Sequence, residues 1–212
     1  MKNVLVIGAH GGTGSEVVKA LNKNNTFHPV AAVRSREQVK AFENEGIEAR
    51  YLDLQESVSE LAAAMNDIDA VVFAAGGGWM VDLDGKVKAA QAAEKSGIKR
   101  FVLISAGGIQ HFHDDEHLPW MDEWKEYSAA MYYGDMYILN SNLDYTIIRP
   151  ENLTNKPGTE KVTLGQQLPH EYSSRANVAA TVVASLENDN TIKKAFDMMD
   201  GDVPVDEAVK DI

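Results

Sequence analysis

The chain has 212 residues, no cysteine and a net charge of −12, enough length for one substantial core and no means for thiol catalysis, disulfides or thiolate metal sites. The acidic balance argues against nucleic acid, whose phosphates call for clustered Lys and Arg, and against an anionic membrane surface. No stretch reaches membrane-spanning length, and the first apolar run is too short for a signal peptide; the expectation is a cytoplasmic protein, monomer or homodimer, that acts on a small molecule.

The chain opens with a strand, Val4-Leu5-Val6-Ile7, followed by Gly8-Ala9-His10-Gly11-Gly12-Thr13-Gly14 and a helix that carries Val17, Val18 and Leu21 at helical spacing. Strand, glycine-rich turn and helix together make a site for a diphosphate. Glycine takes the turn conformations and lets a pyrophosphate approach the main chain, and the first N–H groups of the helix are unpaired. The spacing is G-x-x-G-x-x-G rather than the more usual G-x-G-x-x-G. A second strand, His28 to Val33, ends at Arg34-Ser35. An acid at that point bonds a free ribose hydroxyl, whereas an arginine accommodates a 2′-phosphate, so Arg34 favours NADP over NAD.

Ser35 caps a helix through Phe42, Gly46 ends it, and Ile47 to Leu52 alternates as a third strand. Asp53 beyond it can accept from an adenine amino group with Leu54 over the ring edge, or simply cap the next turn. A helix spans Ser57 to Met65. Ala70 to Ala75 is continuously apolar, as in a strand covered on both faces, and runs into Gly76-Gly77-Gly78, where small residues admit a ribose. A long helix covers Asp82 to Lys95, Gly97 stops it, and a fifth strand, Phe101 to Ile104, ends at Ser105. This alternation predicts an α/β, doubly wound parallel sheet of the Rossmann type in three layers, a single domain with a cofactor half (about 1–110) and substrate-side elements (about 111–212). All the candidate residues fall at strand carboxyl ends, where such sheets bind ligands.

The runs GAHGGTG, AAVRS, YLDL, VDLDG, AAEKSGIKRFVLISA, LDYTIIRPENLT and SRANVA resemble the atypical short-chain dehydrogenase/reductases, near the NmrA-like and NAD-dependent epimerase/dehydratase-like proteins. The resemblance implies that Gly8, His10, Gly11, Gly12, Thr13 and Gly14 hold the pyrophosphate. It places Arg34 and Ser35 at the 2′-phosphate, Asp53 and Leu54 at adenine, and Ala74, Ala75 and Gly76 along the ribose. Pro150 and the residues after it would line the nicotinamide side, with Ser105 as the family's serine.

Active enzymes of this kind use Tyr-x-x-x-Lys, in which residues four apart share a helix face and the ammonium lowers the tyrosine pKa. Here Tyr127 is followed at that spacing by Met131, which has no charge, so the proton relay is broken or replaced. The segment His111-Phe112-His113-Asp114-Asp115-Glu116-His117 has metal-ligand residue types but reads as a solvated acidic loop, and no metal is expected. Trp120 and Trp124, with Phe112 and Met121, can form an apolar lid or an interface patch. Arg149 is expected to pair with an acid. After an irregular segment with a short strand at Lys161 to Leu164, Ser173-Ser174 cap a helix through Leu186; Phe196 to Met198 then reads as an edge strand and Pro204 to Val209 as a terminal helix. Two functions fit: an NADP(H)-dependent oxidoreductase passing hydride to a small carbonyl, quinone or flavin-like acceptor, in which Ser105 and Tyr127 meet the acceptor, or an NADP(H)-binding redox sensor without turnover.

Overall fold

A computed structural model describes every residue from Met1 to Ile212. The first half alternates β1 (Lys2–Ile7), α1 (Gly12–Lys23), β2 (Phe27–Val33), α2 (Arg36–Asn44), β3 (Glu48–Tyr51), α3 (Val58–Ala63), β4 (Ala70–Phe73), α4 (Lys86–Lys95) and β5 (Arg100–Ile104). The second half holds α5 (Trp120–Glu123), α6 (Lys125–Leu139), β6 (Asp144–Pro150), β7 (Asn152–Thr154), β8 (Lys161–Gly165), β9 (Tyr172–Ser174), α7 (Arg175–Glu187), β10 (Lys194–Asp200), β11 (Val203–Pro204) and α8 (Val205–Lys210). Nine strands form one sheet in the order β11-β8-β10-β6-β5-β4-β1-β2-β3. From β3 to β10 the pairs are parallel; β8 and β11 close that side antiparallel. β7 and β9 form a separate parallel pair.

The doubly wound parallel sheet is therefore the one expected. Strand pleating explains the three layers. In β1, Val4 and Val6 point to one face and pack with Val17, Val18 and Leu21 of α1 and Val178 and Val182 of α7. Leu5 and Ile7 point to the other and pack with Leu61 of α3, Ala89 and Ala93 of α4 and Ile138 of α6. The sheet order reverses between β1 and β4, so the crevice of such folds opens above Ile7 and Phe73.

Two local expectations need correction. Phe196 to Met198 is not an edge strand: β10 lies between β6 and β8, because Lys161–Gly165 turns back antiparallel along its open side. Asp197 is thereby taken into the interior at 1% exposure. The helix expected from Asp82 to Lys95 begins instead as a π-helical turn at Met80–Gly85, and regular α-geometry starts at Lys86. Asp82 sets this start, accepting hydrogen bonds from the amides of Gly77 (3.3 Å) and Gly78 (3.0 Å). Ser35, Ser57 and Ser174 are N-caps, each accepting from an amide three residues on, and Gly46 and Gly97 end α2 and α4 with left-handed backbone.

The opening turn is the tightest part of the fold. Gly8 has φ +84°, and a Cβ there would lie 2.6 Å from the backbone of Ala75. A Cβ on Gly14 would overlap the carbonyl of Gly8, so α1 sits against β1 only because position 14 is bare. Gly14→Ala is expected to lower stability by about 1–3 kcal/mol, seen in a thermal melt as a Tm fall of roughly 3–10 °C.

Candidate active site

Two cavities lie side by side on the edge formed by the strand carboxyl ends. The first, of about 240 Å³, is lined by Gly8, His10 and Gly11 of the turn, Arg34 and Gln38 after β2, Asp53 and Leu54 after β3, and Ala74, Ala75 and Gly76 after β4. Its walls suit a dinucleotide. The amides of Gly12, Thr13 and Gly14 open α1 without intramolecular hydrogen bonds, leaving donors and the positive helix end for an anion. The bare Cα of Gly8 lets the backbone approach. Arg34 is exposed, makes no ion pair, and is the sole arginine or lysine in the lining. Gln38 Oε1 is buried without a partner.

The other proposed cofactor residues sit around this cavity rather than in its wall. Gly12 lies under the Arg175 side chain, Thr13 is buried in α1, and Gly14 packs on Gly8. The Ser35 hydroxyl caps α2 by accepting from Gln38 N at 3.2 Å. Asp53 Oδ1 accepts from the Gln55 amide at 2.9 Å, so it caps its own turn while also facing the cavity.

The second cavity, of about 500 Å³, is lined by Ser105, Trp120, Trp124, Tyr127, Pro150, Glu151, Leu153 and His170, among others. The lid expectation is half met. Trp120 and Trp124 line the space, but Phe112 and Met121 are buried beneath it with Ile109 and Met131, because their apolar side chains fill the gap between the loop and α6.

Beneath this cavity lies a buried polar cluster. Ser105 Oγ donates to Asp135 Oδ1 at 2.7 Å, Lys86 Nζ donates to the same oxygen at 3.3 Å, and Arg149 Nε donates to Oδ2 at 3.0 Å. The acid expected for Arg149 is thus Asp135. Lys86 reaches across from α4 with its Nζ 3.8 Å from Met131 Sδ. A buried ammonium therefore occupies the neighbourhood of the missing lysine, but Asp135 holds it. Nor does it activate Tyr127: burial, with Asp82 and Asp135 nearby, pushes the phenol up to about 12.

Glu151 is 3% exposed and accepts a very short hydrogen bond from His170 Nδ1. Burial holds its carboxyl above the ordinary glutamate range, partly offset by His170; Asp197 and Asp82 are likewise raised by burial. Sequence reasoning did not find Lys86, Asp135, Glu151 or His170 as site residues, since no spacing links them. In the acidic loop, His111 pairs with Asp114 and His117 with Asp122, His113 meets Tyr133, and no group of three such side chains is placed to hold a metal ion. No helix is long and apolar enough to cross a membrane.

An anion-ready helix start at the switch in strand order, with a small-residue cradle, defines a dinucleotide-binding Rossmann protein. The chain belongs to the NAD(P)H-binding family, whose pattern residues 8–189 match, in keeping with the motifs. It is 41% identical over 215 residues to YhfK of Bacillus subtilis, described as an uncharacterized sugar epimerase, covering 98% of both chains. The crystal structure of the oxidoreductase ylbE from Lactococcus lactis superposes with a TM-score of 0.90 at 29% identity, covering 99% of this chain and 96% of that one. Sanguinarine reductase of Eschscholzia californica is 34% identical over 140 residues, covering 62% of this chain and 49% of the relative.

Restoring the textual Tyr-x-x-x-Lys pattern would not restore its chemistry here. Met131→Lys brings a second ammonium beside Lys86 in a buried space, and should cost about 2–4 kcal/mol. The exchange Lys86→Met with Met131→Lys leaves one ammonium four residues from Asp135 on the same helix. It is expected to recover at least half of the lost Tm in the same thermal melts.

Proposed function

We propose that the protein is an NADP(H)-dependent reductase of a planar carbonyl, quinone or flavin-like acceptor. The observation that carries this reading is the adjacency of the two cavities on one sheet edge, one suited to a phosphorylated dinucleotide and one walled by aromatic rings. When bound, the reduced nicotinamide supplies a hydride. Gly8, His10, Gly11, Gly12, Thr13 and Gly14 receive the pyrophosphate. Arg34, with Ser35, receives the 2′-phosphate; Asp53 and Leu54 contact adenine; Ala74, Ala75 and Gly76 lie along the ribose. Pro150 borders the nicotinamide side.

Trp120, Trp124 and Tyr127 hold the acceptor by area and shape, and exclude water from the reacting bond. Ser105 faces the acceptor, but its proton is given to Asp135, so it orients rather than protonates. Tyr127 positions the acceptor, since a phenol near 12 is a weak proton source at neutral pH. The same weakness disfavours sugar epimerisation through Tyr127, which would need the phenolate as base.

The test is NADPH binding by fluorescence, followed by nicotinamide absorbance with a panel of quinones, flavins and aromatic aldehydes. Arg34→Ala is expected to weaken NADPH binding about 10–100-fold, the worth of a charge-assisted phosphate contact, and to leave NADH affinity within about twofold. Unchanged preference would remove the phosphate assignment. Tight NADPH binding with no turnover across the panel would instead mean a redox sensor.

A further inference from the structure

We propose that Glu151 and His170 together are the proton donor for the acceptor, in place of the absent tyrosine–lysine relay. This rests on the reductase reading. Three titratable side chains line the acceptor cavity: Tyr127, Glu151 and His170. Tyr127 holds its proton too tightly, and the neighbouring Ser105 hydroxyl is engaged by Asp135. Glu151 and His170 remain, joined by the hydrogen bond from Nδ1 to Oε2.

The geometry divides the work between them. Glu151 follows β6 directly, its amide bonded to the Met198 carbonyl of β10 at 2.9 Å, so its backbone is fixed to the sheet. Its carboxyl occupies space that a Cβ on Gly107 would fill, which places a buried acid in the floor of the cavity beside Ser105. His170 sits at the rim, its side chain 34% exposed and stacked on Trp120 with ring centroids 6.2 Å apart at 17°. The inner member meets the acceptor and the outer member meets water. A purely structural ion pair would gain little from such burial.

In the step, the acceptor carbon gains the hydride and its C=O π pair moves to oxygen. That oxygen takes the proton of the Glu151–His170 pair, and the pair's O–H bond breaks to leave carboxylate against neutral imidazole. His170 then takes a proton from bulk water and restores the pair. The acceptor gains two electrons and two hydrogens, and the nicotinamide loses the hydride. Glu151 is faced by His170 and by Asp197 of β10; Arg149 and His111 in turn act on Asp197. Because the donor must be protonated, kcat falls as pH rises through the titration of Glu151, which burial displaces upward.

Turnover of NADPH with phenanthrenequinone tests this in wild type, Glu151→Gln and His170→Ala. The expected result is a kcat loss of about 100-fold or more in Glu151→Gln, with NADPH affinity within twofold and the pH dependence flattened, and partial recovery of His170→Ala by added imidazole. Wild-type kcat and pH profile in Glu151→Gln overturn the proposal. A readout independent of activity is carboxyl-carbon NMR of the unliganded protein, with Glu151 assigned by its loss in Glu151→Gln. His170→Ala should move the Glu151 midpoint further up, since it removes the partner that lowers it; an unmoved midpoint also overturns the proposal. If Glu151→Gln does not fold, His170→Ala carries both measurements. A wild type that binds NADPH but reduces no acceptor fails the reductase reading itself, a result distinct from active wild type with an unaffected variant.

Discussion

Asp135 holds four parts of the molecule in fixed relation. Its two oxygens receive Ser105 from the end of β5, Lys86 from the start of α4 and Arg149 from β6, while Asp135 itself belongs to α6. At 2% exposure, a lone carboxylate there would be strongly unfavourable. With two cations and a hydroxyl around it, the charge is compensated and the lone pairs are used. The arrangement has only one geometry in which all four members are satisfied, so it fixes where the floor of the acceptor cavity stands relative to the sheet. Gly134 is part of this. A Cβ there would come within 2.9 Å of Lys86 Nζ, and its absence is what lets the lysine stem cross α6.

The same cluster explains why a tyrosine four residues from a methionine is not a damaged relay waiting for repair. Local negative charge from Asp82 and Asp135 acts on Tyr127 in the direction opposite to that of a lysine partner. The nearby ammonium is committed elsewhere. On the other side of the switch point, the balance is inverted. The chain carries a net charge of −12, yet Arg34 stands unpaired at the first cavity, beside amides that have no other acceptor. Binding of a multiply charged anion by an acidic protein depends on such short-range donors, because solution ions screen the overall charge within about 10 Å.

Much of this was legible in the chain because it is encoded locally. The β1–turn–α1 unit, the strand alternation and the helix ends at Gly46 and Gly97 rest on periodicity and on residues with restricted backbone choices. The residues around the first cavity were placed through the order of strands, since each follows a strand end. What was not legible depends on partners distant in sequence. Nothing near Lys86 announces Asp135, 49 residues on. Glu151 and His170 lie 19 residues apart in a stretch without periodicity, and only the turn between β8 and β9 brings them together. Phe196 to Met198 was placed at an edge because its short apolar run gives no sign of the antiparallel neighbour that covers it. Phe112 and Met121 looked like lid residues for a similar reason: apolar character does not say which side of a loop faces inward.

The π-helical turn at Met80–Gly85 has a bearing on how this architecture tolerates change in length. Such a turn accommodates one residue more than α-geometry would in the same rise. Removing a single residue between Met80 and Gly85 would let the segment relax to a regular helix, but everything before the deletion would swing about 100° around the axis relative to everything after it. Asp82 and the glycine loop it anchors would then no longer share a side with Lys86. The extra residue works as a phase adjuster between the cradle at one cavity and the buried ammonium at the other, and a one-residue gap here would separate two sites that point substitutions leave in step.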